Sequence, residues 1–129
     1  MLIILDSSML MLPMERKINL SIEISRLVIK SHEVVVPKIV LDELTSLLDS
    51  ASTITTSKAN FALSLAKSFP VLESQVDIHP DAEIIRLAQE NEAVVATNDK
   101  ELRKKLLGKG IAVISLHGKN RLSLFGHID

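Results

Sequence analysis

Four acidic residues are spaced so that their carboxylates could act together. Asp6 directly follows the apolar run at residues 2–5, and Asp99 follows the run AVVAT with one asparagine between. Both runs are typical of buried β-strands, and the carboxyl ends of parallel strands meet at one edge of a sheet. We therefore expect both aspartates at that edge. The simpler alternative is that each aspartate only caps a turn or a helix.

The angular positions of residues around their predicted helices identify the other two acids, Glu43 and Asp81. With successive residues placed about 100° apart, Glu43 borders the apolar stripe of its predicted helix, whereas Asp42 faces solvent. On the next helix that carries acids, Asp81 falls inside the apolar stripe and Glu83 falls outside it. An acid in a first helical turn ordinarily complements the helix dipole, which is the alternative for Asp81. That alternative does not explain why its carboxylate points inward.

A divalent cation is the ligand that such a set of acids would hold. Four ionised carboxylates at one sheet edge repel one another unless a cation lies between them. The chain has no cysteine, and none of its four histidines is near these acids in sequence, so the donors favour Mg²⁺ or Mn²⁺ over zinc. Mg²⁺ commonly shares its site with substrate phosphates, which indicates phosphodiester chemistry on a nucleic acid.

The net charge of -1 conceals an uneven distribution along the chain. Residues 1–99 contain 8 basic and 14 acidic residues, whereas residues 100–121 contain seven basic residues and one acidic residue. A run of this kind is ordinarily a solvated helix face, but its position directly after Asp99 favours contact with phosphates. The predicted phosphate-binding residues are Lys100, Arg103, Lys104 and Lys105.

The elements that position these residues alternate short β-branched runs with amphipathic stretches, which is typical of an α/β domain. Strands are predicted over residues 2–5, 33–36, 93–96 and 111–115, with an edge strand over 121–125. Helices are predicted over residues 17–30, 38–49, 57–68, 80–91 and 100–107, with a loop at 50–56. No shift in composition marks a linker, so residues 1–129 are predicted to form one domain.

Composition excludes several classes of protein. The absence of cysteine excludes a zinc ribbon, a disulfide framework and thiol chemistry, and it suggests a cytoplasmic location. The longest apolar run, residues 1–5, is too short to span a membrane, so we expect a soluble protein with no membrane partner. The apolar segment at residues 18–29 predicts a surface covered by a second copy, as in a homodimer, unless it is an ordinary buried helix.

Four sequence blocks that contain these acids resemble the acidic motifs of PIN-domain ribonucleases. The blocks are ILDSSMLML (4–12), VPKIVLDEL (36–44), PDAEIIRLA (80–88) and VVATNDKELRKKL (94–106). Their order and spacing match the family over nearly the whole chain. The resemblance implies a single PIN-like α/β/α domain with a mostly parallel central sheet, acting as a metal-dependent endoribonuclease.

The resemblance also implies roles for individual residues. The acids that would hold one or two Mg²⁺ or Mn²⁺ ions are Asp6, Glu43, Asp81 and Asp99. The small polar residues that would support them are Ser7, Thr97 and Asn98.

Within the family, the tail IAVISLHGKNRLSLFG and the block TNDKELRKKL look most like small archaeal proteins related to the processome nucleases of rRNA maturation. VapC-like toxin ribonucleases are close rivals. The processome branch commonly carries paired aspartates at the third motif, whereas here Asp81 is followed by Ala82 and Glu83. The implied partners are RNA and either an antitoxin or a ribosome-assembly factor. A PIN-like module that binds RNA or an assembly factor without cleaving is the alternative from another functional class.

Overall fold

The computed structural model describes residues 1–128 and consists of one six-stranded sheet flanked by six helices. The strands are β1 (Leu2–Leu5), β2 (Glu33–Pro37), β3 (Val71–Leu72), β4 (Val94–Ala96), β5 (Val113–His117) and β6 (Arg121–Phe125). The helices are α1 (Ser7–Glu15), α2 (Leu20–Leu27), α3 (Lys38–Leu47), α4 (Thr53–Ala66), α5 (Pro80–Asn91) and α6 (Lys100–Gly108). The strand order is β3-β2-β1-β4-β5-β6. Only β6 is antiparallel to its neighbour, so the predicted α/β class is confirmed.

Strand β1 lies at the centre of the sheet because its side chains are apolar on both faces. Ile3, Ile4 and Leu5 are fully buried, as expected for a parallel strand covered by helices on both sides. Ile3 pairs with Val34 of β2 on one side and with Val94 of β4 on the other.

The chain changes direction across the sheet beside β1. From β1 it proceeds outward through β2 to β3, and it then returns to β4 on the opposite side of β1. In open α/β sheets, ligands bind at the carboxyl edge beside such a switch point. The residues that follow β1 and β4 are therefore placed where a site is expected.

Helix α1 and strand β3 are present in the structure but absent from the predicted pattern. Residues 9–14 are all apolar and include Pro13, so neither a helical stripe nor an unbroken helix is visible in the sequence. The helix forms because Asp6 caps it and because Met9, Leu10 and Leu12 are buried in the core. Strand β3 has only two residues and carries no periodicity of its own.

Several predicted boundaries also shift. The loop predicted at residues 50–56 is wrong in its second half, because Ser52 caps α4, which begins at Thr53. The helix predicted over 17–30 is shorter, since Asn19 caps it and the chain is extended again at Val28. Helix α5 and strand β6 have the predicted bounds.

The apolar segment at residues 18–29 is largely an internal element. Leu20, Ile24 and Val28 are buried, whereas Ile22 is 65% exposed and Ile29 is 97% exposed. Within residues 1–128, no helix combines the length and the apolar character that crossing a membrane requires.

Candidate active site

Asp6 is the most deeply buried acid of the predicted set and is 4% exposed. It follows β1 and caps α1, because its Oδ1 accepts the Met9 N–H at 2.8 Å. The Ser8 hydroxyl lies 2.8 Å from Oδ1 and 3.0 Å from Oδ2, and the Thr97 hydroxyl donates to Oδ2. The Asp6 carboxylate is thus fixed by its own helix and by the residue that follows β4.

The carboxyl ends of β1 and β4 are joined by a small polar network. The Asp6 N–H donates to the Ala96 carbonyl at 3.2 Å, and the Asp99 N–H donates to Thr97 Oγ1 at 3.0 Å. Asp99 Oδ1 then caps α6 by accepting the N–H groups of Glu101 at 2.9 Å and Leu102 at 3.2 Å. Asp6 and Asp99 therefore share Thr97, and the predicted convergence of these two strand ends is present.

Burial raises the pKa of Asp6 from 3.8 to about 6. Hydrogen bonds from Thr97, from the Met9 N–H and from Ser8 lower the pKa of Asp6, but by less than burial raises it. The nearby carboxylate of Glu43 raises the pKa further, because two like charges disfavour ionisation. Glu43 thus lies close enough to Asp6 for their charges to interact.

Glu43 and Asp81 are both half-buried, on α3 and in the first turn of α5 respectively. Asp42 is exposed and pairs with Lys38 at 3.4 Å, which agrees with the phase prediction for these two neighbouring acids. Within residues 1–128, neither Glu43 nor Asp81 forms an ion pair.

Glu83 departs from the phase prediction, because it is fully buried although it lies outside the apolar stripe of α5. It pairs with Arg86, with Nε lying 2.6 Å from Oε1, and this guanidinium lowers the pKa of Glu83. Helical phase describes only the packing of a helix against the sheet. Here the chain between β3 and α5 covers a second face of the helix, since the Gln75 N–H donates to Glu83.

The supporting polar residues differ in part from those predicted. Thr97 contacts Asp6 as described, but Ser8 takes the place predicted for Ser7. Asn98 takes part through its backbone, whose N–H donates to the Ser8 hydroxyl at 2.9 Å. Ser8 is not among the predicted supporting residues because helix α1 is not predicted from the sequence. The cap role considered for Asp6 is present, and with a helix predicted after it the two following serines become the residues to inspect.

A metal site needs donors of the right chemistry that can converge. Within residues 1–128, no three carboxylate or imidazole groups stand close enough together to hold an ion. The donor set nevertheless fits Mg²⁺ or Mn²⁺, since it consists of carboxylates at one sheet edge and includes a buried acid with a raised pKa. A cation at Asp6 would offset the cost of burying this charge beside Glu43.

Helix α6 carries the predicted phosphate-binding residues and begins at the same edge of the sheet. Lys100, Lys104 and Lys105 are exposed. Arg103 is half-buried, because its guanidinium lies over the Phe125 ring at 5.0 Å from the centroid and its Nη1 lies 3.5 Å from Ser115 Oγ. The orientation of Arg103 is thus set by β5 and β6.

The basic run does not lie entirely at this edge. Helix α6 runs from the carboxyl edge of the sheet toward the amino edge, and Lys109 follows its end. Lys109 lines a cavity with Met1, Ala93 and Ala112, which directly precede β1, β4 and β5 respectively. Lys109 is therefore remote from Asp6 and Asp99.

Known proteins match this chain in sequence and in fold. The sequence pattern of the PIN like domain family matches residues 3–119. Ribonuclease VapC4 of Methanocaldococcus jannaschii is 33% identical over an alignment of 129 positions, and the match covers 98% of this chain and 98% of that one.

Two solved structures share the fold. One is described as the PIN domain endonuclease Utp24, with a TM-score of 0.81, 21% identity, and coverage of 99% of this chain and 93% of that one. A domain of a functionally unknown protein from Methanocaldococcus jannaschii has a TM-score of 0.66 and 16% identity, and the match covers 99% of this chain and 96% of that one. The extent of the family match and the identity to the ribonuclease decide the assignment: this chain belongs to the PIN-domain nuclease family.

Proposed function

We propose that this protein is a metal-dependent endoribonuclease that hydrolyses phosphodiester bonds in RNA. The observation that carries the proposal is the environment of Asp6. This acid is buried at the carboxyl end of the central strand, joined to the end of β4 through Thr97, and close to the like charge of Glu43. A buried carboxylate beside another carboxylate is costly unless a cation joins them. The 33% identity to a protein named as a ribonuclease supports RNA as the substrate.

The proposed metal ligands are Asp6, Glu43, Asp81 and Asp99, which would hold one or two Mg²⁺ or Mn²⁺ ions. Such an ion, when bound, would supply an activated water and stabilise negative charge on the scissile phosphate. The Thr97 and Ser8 hydroxyls hold the Asp6 carboxylate in one orientation, as residues behind a metal ligand commonly do. Asp99 caps α6 through Oδ1, so its Oδ2 would be the oxygen offered to an ion.

A matched pair of neighbouring acids on α3 tests the proposed site. We expect Glu43→Gln to reduce cleavage of end-labelled single-stranded RNA at least about tenfold, because metal sites depend strongly on each carboxylate. Asp42→Asn should leave cleavage unchanged, since Asp42 is exposed and pairs with Lys38. Both variants are assayed beside the wild type in Mg²⁺, Mn²⁺ and EDTA. Equal activity of the two variants would contradict the assignment of Glu43.

The beginning of α6 is proposed to bind RNA phosphates through Lys100, Arg103, Lys104 and Lys105. Each phosphate contact releases counterions, so binding weakens as salt rises. We expect the double variant Lys100→Gln/Lys104→Gln to reduce the slope of log affinity against log salt by about 2. Lys109→Gln should not change the slope, because Lys109 lies at the opposite edge of the sheet. Fluorescence anisotropy in EDTA measures both, and a common slope for all three proteins would refute the proposed surface.

Two biological roles fit this activity, and the sequence relative favours the toxin role. The match to Ribonuclease VapC4 covers 98% of both chains, whereas the 21% identity to Utp24 reflects a shared fold alone. A toxin would have an antitoxin as its protein partner, and a maturation enzyme for rRNA would have a ribosome-assembly factor. Expression without the neighbouring genes distinguishes them, since a toxin arrests growth. RNA binding without cleavage in either metal would instead identify a non-cleaving module.

A second copy of the chain is a further proposed partner. The exposed Ile22 lies on α2 and the exposed Ile29 lies two residues after its end, so a dimer would cover both. A cytoplasmic location accords with the proposed RNA substrate. Sedimentation at micromolar concentration decides the oligomeric state.

A further inference from the structure

Helix α3, which carries Glu43, is capped by a residue from a distant part of the chain. Its own N-cap residue is Pro37, whose side chain makes no capping hydrogen bond. The Ile39 N–H donates instead to Ser74 Oγ at 2.9 Å. The pairing of Pro37 with Leu72 brings the end of β3 beside the beginning of α3, which places Ser74 within reach. The missing cap is therefore supplied by tertiary structure.

Ser74 belongs to the segment that connects β3 to α5, residues 73–79, which we call the strap. The strap is also fixed at its next residue, because the Gln75 N–H donates to Glu83 Oε2 at 2.5 Å. Glu83 is fully buried and forms an ion pair with Arg86, whose Nη2 lies 2.8 Å from Oε2. A buried carboxylate that accepts charge-assisted hydrogen bonds at both oxygens is held in one orientation.

The two helices that the strap joins each carry a proposed metal ligand close to the point of attachment. Glu43 lies four residues after Ile39, which is one turn along the same face of α3. Asp81 lies two residues before Glu83, in the first turn of α5. Helices α3 and α5 are also in direct contact. A displacement of the strap would change the separation of these two acids.

We propose that the strap sets the spacing between Glu43 and Asp81, with Ser74 and Glu83 as positioning residues for the metal site. This inference rests on the proposed function. Neither residue touches the ion in this role. Ser74 fixes the first turn of α3, and Glu83 fixes the strap to α5.

Two helix caps provide a matched test. Ser74→Ala removes the cap of α3, and Ser52→Ala removes the cap of α4, where Ser52 Oγ accepts the Thr55 N–H at 3.3 Å. Each should lower the Tm of the full chain by about 4 °C, because each deletes one capping hydrogen bond. Ser74→Ala should also raise the dissociation constant for Mn²⁺ about tenfold, whereas Ser52→Ala should leave it unchanged. Ser74→Thr should restore Mn²⁺ affinity, since threonine retains the hydroxyl.

Free Mn²⁺ is measured by electron paramagnetic resonance, and the Mn²⁺ concentration for half-maximal RNA cleavage is measured in parallel. Unchanged Mn²⁺ affinity in Ser74→Ala, with a Tm lowered as in Ser52→Ala, would show a purely structural cap and overturn the inference. Glu83→Gln provides a second variant if Ser74→Ala does not fold, and it should weaken Mn²⁺ binding in the same direction. A wild type that binds no Mn²⁺ would refute the proposed function itself, and the inference with it.

Discussion

Asp6→Asn is expected to reduce metal-dependent RNA cleavage at least about a hundredfold, because it removes the charge of the most deeply buried proposed ligand. The fold should survive the substitution. An asparagine Oδ1 can still accept the Met9 N–H and cap α1, and the two neighbouring hydroxyls can rotate to suit the amide. Asp99→Asn should act in the same way, since asparagine also caps helices.

The measurement is cleavage of an end-labelled single-stranded RNA by proteins prepared side by side. Asp42→Asn serves as the control for removing one negative charge, because Asp42 is exposed and outside the proposed site. Loss of cleavage in Asp6→Asn and Asp99→Asn with activity retained in Asp42→Asn would support the site. Undiminished cleavage by Asp6→Asn would rule out Asp6 as a metal ligand.

The same substitution should stabilise the protein in EDTA. Burial raises the pKa of Asp6 from 3.8 to about 6, so ionised Asp6 is less favourable in the folded state than in the unfolded state. A difference of about two pKa units corresponds to about 3 kcal/mol in the free energy of unfolding. Asp6→Asn removes this penalty at neutral pH. Greater stability with lost activity is the pattern expected where a residue is kept for function.

The sign of the pH dependence follows from the direction of the shift. Below the unfolded pKa of 3.8, Asp6 is protonated in both states and its contribution to stability is fully present. That contribution is lost as the pH rises toward about 6, since only the unfolded state is then ionised. Glu23 and Glu83 have lowered pKa values, so the stability that they contribute is lost as the pH falls rather than as it rises. The pH dependence of the wild type alone therefore does not isolate the contribution of Asp6.

Urea unfolding of wild type and Asp6→Asn across this pH range isolates the contribution of Asp6, since all other groups cancel in the difference. The stability advantage of Asp6→Asn should grow by about 3 kcal/mol from about pH 3 to about pH 7. A difference that stays constant with pH would mean that Asp6 ionises as readily in the folded chain as in the unfolded one. Such a result would remove the electrostatic argument for a cation at this position.

The sequence by itself determined the fold class and the candidate acids. The strand arrangement is readable because β1, β2, β4 and β5 each contain a short run of apolar residues, as expected for parallel strands covered on both faces. Asp6 is identifiable because it directly follows the first of those runs, and Asp99 because it follows the run AVVAT with one asparagine between. Glu43 was distinguished from Asp42 because adjacent residues on a helix point in different directions.

Tertiary structure alone decided which groups meet these acids. The hydrogen bond that joins Thr97 to Asp6 spans 91 residues, and the cap that Ser74 places on α3 spans 35 residues. No local pattern encodes such contacts, because they depend on which strands become neighbours. The burial of Glu83 is not predictable from its angular position on α5 for the same reason. That position describes only how the helix packs against the sheet, whereas the strap covers another face of α5.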